Sequence, residues 1–474
     1  MGIDTRRVAA AVERELTVPE ERIHSGAMTG HEWRNWAGNQ IAYPAEYVEP
    51  RSVDELRALV ARAERTVKCV GAGHSFTSIA VTDGIQVSLD RLSGIESVIP
   101  GDDGSALVTV LAGTRLRELT AALWERGLAM TNLGDIDEQS IAGAISTGTH
   151  GTGARFGGIS TQVRGLKILT ADGTTLTCSR EENPDVFDAA RVGLGALGII
   201  THVSLHCVPA FALHAVEAPA SLSGTLAELA DTVSSVDHFE FYWFPHTDRV
   251  LTKTNTRLQA NSPLAPLGRI RAYIDDELLS NTAFEAINRV VTRFPAAIPR
   301  VNTFSARALS ARQFTDRSYR VFASSRTVKF REMEYAVPAE AITYVLREVD
   351  RWLESSGFAV AFPVEVRFAA ADDIWLSTAY GRASAYIAVH QYHRRDHREY
   401  FDAVEAIARS VGGRPHWGKL HSMTAADLAG AYEHFDDFCA VRQTLDPDRL
   451  FGNGYLGTVL GEKSGPAAGP PIVE

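Results

Sequence analysis

The strand-like run "TVKCV" (66–70) stops at Gly71-Ala72-Gly73-His74-Ser75, and the residues after this turn restrict the folds open to the chain. A strand entering Gly-x-Gly is how the dinucleotide-binding fingerprint begins, and Asp90 lies near the distance at which an acidic side chain would meet a ribose. Phe76, however, takes the place of the third glycine. The next segment, "SFTSIAVTDG", is β-branched and closed by Asp83-Gly84, leaving little room for the helix whose N-terminus would bind pyrophosphate. A doubly wound fold is therefore disfavoured. The alternative is a nest of backbone N–H groups without a helix, to which Ser75 adds a hydroxyl. His74 would then sit beside a bound cofactor, to orient it or to be joined to it. The ordinary reading is a ring satisfied within its own turn.

Around this turn, residues 51–205 alternate helix and strand patterns. "SVDELRALVARAER" carries a Ser52–Glu55 capping box and a stripe of Leu56, Leu59, Val60 and Ala63. "IQVSL" and "ALVTVL" read as strands, and "RLRELTAALWERG" as a helix that Gly127 terminates. "QVRGLKILTADGTTLTCS" reads as a hairpin around Asp172-Gly173. Between them, "TNLGDIDEQSIAGAISTGTHGTGARFGG" (131–158) is too irregular for a long helix, and a loop of that length in a compact domain is usually functional. Near Pro209 a second unit begins, with long strands such as "HFEFYWFP" and "FREMEYAVP" and the helix "AEAITYVLREVDRWLESSG".

The chain has 474 residues, which suits two or three domains. Its net charge of -11 argues against binding nucleic acid through phosphates. No apolar run reaches the length of a membrane span, and "MGIDTRRVAAAVERELT" lacks the apolar centre of a signal peptide. Arg6 stands where a myristoylation site wants Ser or Thr. Cys69, Cys178, Cys207 and Cys439 are far apart, so neither a disulfide framework nor a thiolate metal site is expected. A cytoplasmic protein is the expectation.

In "FPVEVRF", period two places Glu365 and Arg367 on one face and Val364, Val366 and Phe368 on the other. A buried carboxylate and guanidinium are costly unless paired or used, and an ion pair is the plain alternative. "AYIAVHQYH" puts Tyr386, Ala388, His390 and Tyr392 on one face. His390, His393, His416 and His421 offer a zinc reading, hence a hydrolase, but no acidic or thiolate partner has suitable spacing. No metal is expected. The aromatic run Phe239–Pro245 reads as sheet core, while Glu332 and Glu334 lie where they can reach a pocket.

"VGAGHSFTSIAVTDG" resembles the signature of the vanillyl-alcohol-oxidase-type FAD enzymes, in particular the aldonolactone and alditol oxidoreductases. "WRNWAGNQ", "NLGDIDEQSIAGAISTGTHGTG", "VEVRF", "HWGKLH" and "LDPDRLFGNGY" extend the resemblance in order over nearly the whole chain. It implies an α+β fold: a two-subdomain FAD-binding domain of the PCMH type (1–208), a cap domain with an antiparallel sheet flanked by helices (209–430), and a C-terminal segment (431–474) returning to the FAD domain and ending in a frayed tail.

The resemblance also implies roles. His74 would carry the flavin covalently. Gly71, Ala72, Gly73 and Ser75 would contact the pyrophosphate, with Gly134, Asp135, Ser140, Gly143, Thr147 and Gly148 near the flavin and Ile199 or Ile200 near the adenine half. Glu365 would bind substrate hydroxyls and Arg367 would stabilise developing negative charge. Lys419 would stand on the flavin N1 side, and His390 is a candidate base. The implied reaction is oxidation of a sugar lactone, such as an L-gulono- or D-arabinono-1,4-lactone, at its C2 hydroxyl. An alditol, another carbohydrate or a specialised metabolite is the alternative substrate, and a degenerate binding protein the non-catalytic alternative. O2 or another oxidant would accept the electrons. Gly134, where relatives carry alanine, leans towards O2, while dehydrogenases share the "GD" pair.

Overall fold

Strand alternation divides the computed structural model, which describes residues 30–268, 284–323 and 328–461, into three main sheets and a two-stranded pair. The first sheet is parallel, with Ile85–Ser88 between Glu46–Val48 and Val67–Val70. Helix Val53–Ala61 begins where Ser52 Oγ accepts the Glu55 N–H at 3.1 Å, and buries Leu56, Leu59 and Val60. The return bond of the expected capping box goes one residue further back, from the Arg51 N–H to the Glu55 carboxylate at 2.7 Å. After the glycine turn only a single 3-10 turn forms, Ser78–Ala80, and Asp90 pairs with Arg115. Neither the helix nor the ribose carboxylate of a dinucleotide fold is present there.

The second sheet is antiparallel. It contains the hairpin Val163–Leu169/Thr175–Ser179, turned at Gly173 with φ +82, and strand Ile199–Pro209 in its middle. Helix Leu116–Glu125 covers it with Leu116, Leu119 and Leu123, and stops before Gly127 at φ +72.

The third sheet has eight antiparallel-paired strands, with Val250–Gln259, His238–Trp243, Val364–Ala369, Ser384–Tyr392 and Phe330–Pro338 adjacent in that order. One face presents Phe239, Phe241, Trp243, Val364, Val366 and Phe368, all buried in the largest apolar cluster. Helix Ile342–Ser356 contributes Ile342, Val345, Leu346, Val349 and Leu353 to the same cluster. Each such side chain contributes about 1.5–3 kcal/mol when fully buried. The aromatic run at 239–245 is thus sheet core. The opposite face is polar and includes Glu240, Tyr242, Glu332, Glu334, Glu365, Arg367 and Tyr386.

The end of the chain returns to the first sheet. The Val67 N–H donates to Leu450 O at 2.7 Å, Lys68 Nζ reaches Phe451 O at 2.9 Å, and Asn453 Nδ2 donates to the carbonyls of Ser78, Ile79 and Val81. None of the four cysteines forms a disulfide. No helix among the described residues is long and apolar enough to cross a membrane. The N-terminal amphipathic stretch and the proline-rich tail lie outside the described residues.

Candidate active site

Two adjoining cavities meet at His74. The first is lined by Gly71, Ala72, Gly73, Ser75, Ser140, Gly143, Thr147 and Ile199. The second is lined by Gly134, Asp135, Glu332, Glu334, Glu365, Arg367 and Lys419. His74, Ser75, Gln139 and Thr147 line both.

The glycines of the turn are needed for space as well as conformation. A Cβ on Gly71 would fall 2.9 Å from Ser140 Oγ, and Gly73 adopts φ +70 with the Trp33 ring 3.2 Å from its would-be Cβ. Ser140 caps the short helix Ile141–Ser146 by accepting the Gly143 N–H at 3.3 Å, and Gly148 follows it at φ +73. The early motif "WRNWAGNQ" clamps the turn. Asn35 Nδ2 donates to Ser75 O at 3.0 Å, while Asn39 and Gln40 amides donate to Phe76 O at 2.9 and 3.0 Å. Trp36 stacks on His74 with ring centres 5.5 Å apart. Burial, helped by Lys419, pushes the His74 ring down to about 4, so at neutral pH it is an uncharged imidazole with a nitrogen lone pair. A cradle of this kind, tight at its glycines and lined by hydroxyls and backbone amides, fits the pyrophosphate and flavin of FAD.

The cap sheet supplies the other wall, and its register sets the geometry. Tyr242, Glu365, Ala388 and Glu334 are successive cross-strand neighbours, and Glu332 is opposite His390. Arg367 lies at the centre. Its Nη2 pairs with Glu365 and is 3.2 Å from Asp135 Oδ2, and its Nε donates to Glu240 Oε2 at 3.2 Å. Lys253 Nζ is 3.3 Å from the other Glu240 oxygen, and Tyr242 Oη donates to Glu365 at 3.1 Å. Three carboxylates thus face two cations. Burial pulls the Arg367 guanidinium down, but Asp135, Glu365 and Glu240 outweigh it and hold it well above its usual range. The buried Nη2 thus sits between the Glu365 and Asp135 carboxylates at the chamber wall.

Lys419 pairs with Glu332. Burial pushes the Glu332 carboxyl up, and Lys419 together with His390 overcomes this and holds it at about 2. The His390 ring packs against Phe330 and Phe362, with Nε2 3.5 Å from Glu332, so it meets the chamber through that carboxylate. The irregular loop contributes His150, whose Nε2 lies 2.9 Å from Glu334 and whose ring stacks on Tyr386 at 3.6 Å.

The structure therefore brings Glu365, Arg367, Lys419 and His74 around connected cavities and leaves His390 one residue behind. Asp135 extends its carboxylate to Arg367. Glu240 and His150 were not singled out from sequence, although alternation in "HFEFYW" puts Glu240 and Tyr242 opposite the aromatic face by the same logic that paired Glu365 with Arg367. Replacing Glu240 by Gln keeps its shape but removes the charge shared by Lys253 and Arg367. The fold should lose about 1.5–3 kcal/mol, the contribution of hydrogen bonds to charged groups, which thermal melting checks.

Among the described residues, the group with metal-ligand spacing is His150, Glu334 and His416, within 4.8 Å of one another, and it excludes His390, His393 and His421. Its hydrogen bonds do not suit a cation. His150 Nδ1 lies 2.9 Å from Gly151 O, and its Nε2 is already engaged with Glu334 at 2.9 Å. His416 Nδ1 accepts the Gly418 N–H at 3.0 Å, which leaves the ring proton on Nε2 where a metal would have to bind.

Known proteins resemble the chain over most of its length. Residues 203–459 match the family model described as D-arabinono-1,4-lactone oxidase, and residues 44–179 match an FAD binding domain. The chain is 44% identical over 432 residues to the L-gulono-1,4-lactone dehydrogenase of Mycobacterium tuberculosis, covering 90% of this chain and 99% of that one. It is 36% identical over 441 residues to the L-gulonolactone oxidase of Bos taurus, covering 91% and 98%. A variant of the cholesterol oxidase from Brevibacterium sterolicum superposes with a TM-score of 0.76 at 18% identity, covering 94% and 99%, which shows a shared fold.

Proposed function

The chain belongs to the aldonolactone oxidoreductase family, as an FAD-dependent enzyme, and from that premise we propose that it oxidises an aldono-1,4-lactone at the C2 hydroxyl. The observation that carries this reading is the buried Arg367, held by Glu365, Asp135 and Glu240 in a chamber that joins the His74 turn.

FAD, when bound, supplies a hydride acceptor for the substrate carbon. This chain's residues position the lactone. Glu365 accepts hydrogen bonds from sugar hydroxyls, and the Arg367 guanidinium stabilises the hydroxyl oxygen on the carbon whose C–H bond breaks. The hydroxyl proton leaves to a carboxylate oxygen of the cluster around Arg367 or to solvent. Lys419 and Glu332 close the same side of the chamber, and the Phe330 and Phe76 rings keep it dry. Glu334 and Glu365 flank Ala388, whose methyl leaves room for a ring substituent.

The test is anaerobic mixing of the purified flavoprotein with L-gulono- and D-arabinono-1,4-lactone and with open-chain alditols. Bleaching of the flavin by a lactone, faster than by any alditol, is expected. Failure of every lactone to bleach it sinks the reading. Running the turnover with O2 and with a dye acceptor assigns the oxidant. A Cβ on Gly134 would point at His150 O, 3.2 Å away, and Thr149 Cγ2, 3.3 Å away, so oxygen access depends on those neighbours too.

We further propose that His74 bonds to the flavin, because it is uncharged, half-buried and at the junction of both cavities. Acid-denatured wild-type protein should stay yellow, whereas His74→Ala should release all of its flavin. A colourless wild-type precipitate would remove the covalent bond and leave FAD binding intact.

A further inference from the structure

Between two strands of the cap sheet the chain inserts a helical pair, Phe284–Arg293 and Ile298–Ala308, joined by the turn Pro295–Ala297. Its inner face is fixed. Val291 and Ile298 are buried beside Ala361, and Asn302 Nδ2 donates to Pro245 O at 3.0 Å and Val360 O at 2.8 Å. The outer face is unlike the rest of the surface. Val290, Phe294 and Phe304 are 61%, 62% and 74% exposed, among the most exposed large apolar side chains of the described residues. Arg289, Arg293, Arg300 and Arg307 stand exposed among them. The acid within the pair, Glu285, is taken by Arg289 and Tyr392. A cationic, apolar face on a chain of net charge -11 is a local inversion of the overall charge.

We propose that this face docks on an anionic lipid surface. A bilayer offers both things the face lacks, an apolar phase for two phenylalanines and negative headgroups for the arginines around them. A second copy of the chain meeting the same patch across a two-fold axis would set arginines against arginines. Duplex nucleic acid would match the charge but keeps its base faces stacked inside, away from the phenyl rings. The helices lie along the surface: each has 10 or 11 residues, too short to span.

The experiment uses the full flavoprotein and vesicles of phosphatidylcholine with or without phosphatidylglycerol, read by co-sedimentation. Binding to the anionic vesicles, lost in high salt, is expected. The triple variant Arg293→Glu/Arg300→Glu/Arg307→Glu should lower partitioning by about 100-fold or more, at roughly fivefold per arginine. Phe294→Ser/Phe304→Ser should weaken binding without changing its salt dependence. Both variants keep the inner face, so flavin content and lactone oxidation in solution should be unchanged. Equal binding to neutral and anionic vesicles overturns the proposal, as does binding that survives charge reversal. A dimer in sedimentation velocity that the phenylalanine variant abolishes, with no vesicle binding, would assign the face to self-association instead.

Discussion

Replacing Arg367 by alanine is expected to slow flavin reduction by lactone by about 10²–10³-fold, the range seen when one preorganised donor is removed from a reacting oxygen. Flavin content should hardly change, because the glycine turn and Ser140 are on the other side of His74. The same substitution takes from Asp135, Glu240 and Glu365 the guanidinium they share. Breaking a buried ion pair from one side costs about 3–5 kcal/mol, so the melting temperature should drop as well. Arg367→Lys separates the two effects. A lysine keeps the charge and hence most of the stability, but one ammonium cannot reproduce the contacts of Nε and Nη2 together. Stability restored without rate is the expected outcome. If Arg367→Ala reduces its flavin at the wild-type rate, Arg367 has no part in the reaction.

The second large effect is acid unfolding at unusually high pH. Burial pushes His238, His416 and His421 down to about 4. In the unfolded chain these rings take up protons near 6.5, and in the folded chain only near 4. Their contribution is therefore complete above 6.5 and is lost as pH falls from 6.5 towards 4, by about 3 kcal/mol for each ring. Together that approaches the whole stability of an ordinary domain, about 5–15 kcal/mol. Glu332, held at about 2 by Lys419 against its burial, acts lower down: its contribution is lost only as pH falls below about 4.5. Circular dichroism against pH should show the main loss between 6.5 and 4. His238→Gln should flatten part of it, and a transition confined below pH 4 would contradict the role of the rings.

Sequence reading reached different depths in different places. The Glu365–Arg367 pairing follows from period two in a short apolar strand, and the missing third glycine with the short β-branched segment after it correctly removed the dinucleotide fold. These are local properties. His150 and Glu334 lie 184 residues apart, so no local pattern announces their contact. Glu240 was hidden differently: the aromatic run around it signals core so strongly that its alternate face is easily passed over. Asp135 sits in an irregular loop with no periodicity to orient it, and the family resemblance placed it near the cofactor. The fold turns its carboxylate to Arg367. The zinc reading grouped histidines by nearness in sequence, whereas strand register sends His390 behind Glu332 and leaves His416 beside Glu334.

The bond from Lys68 Nζ to Phe451 O joins residues 383 apart, and Asn453 ties down the carbonyls after the glycine turn. The first cavity is therefore finished by residues translated long after the glycine turn itself. Flavin capture must wait for residues 450–453, and a product truncated before residue 446, however well its sheets form, should emerge from the cell without its colour.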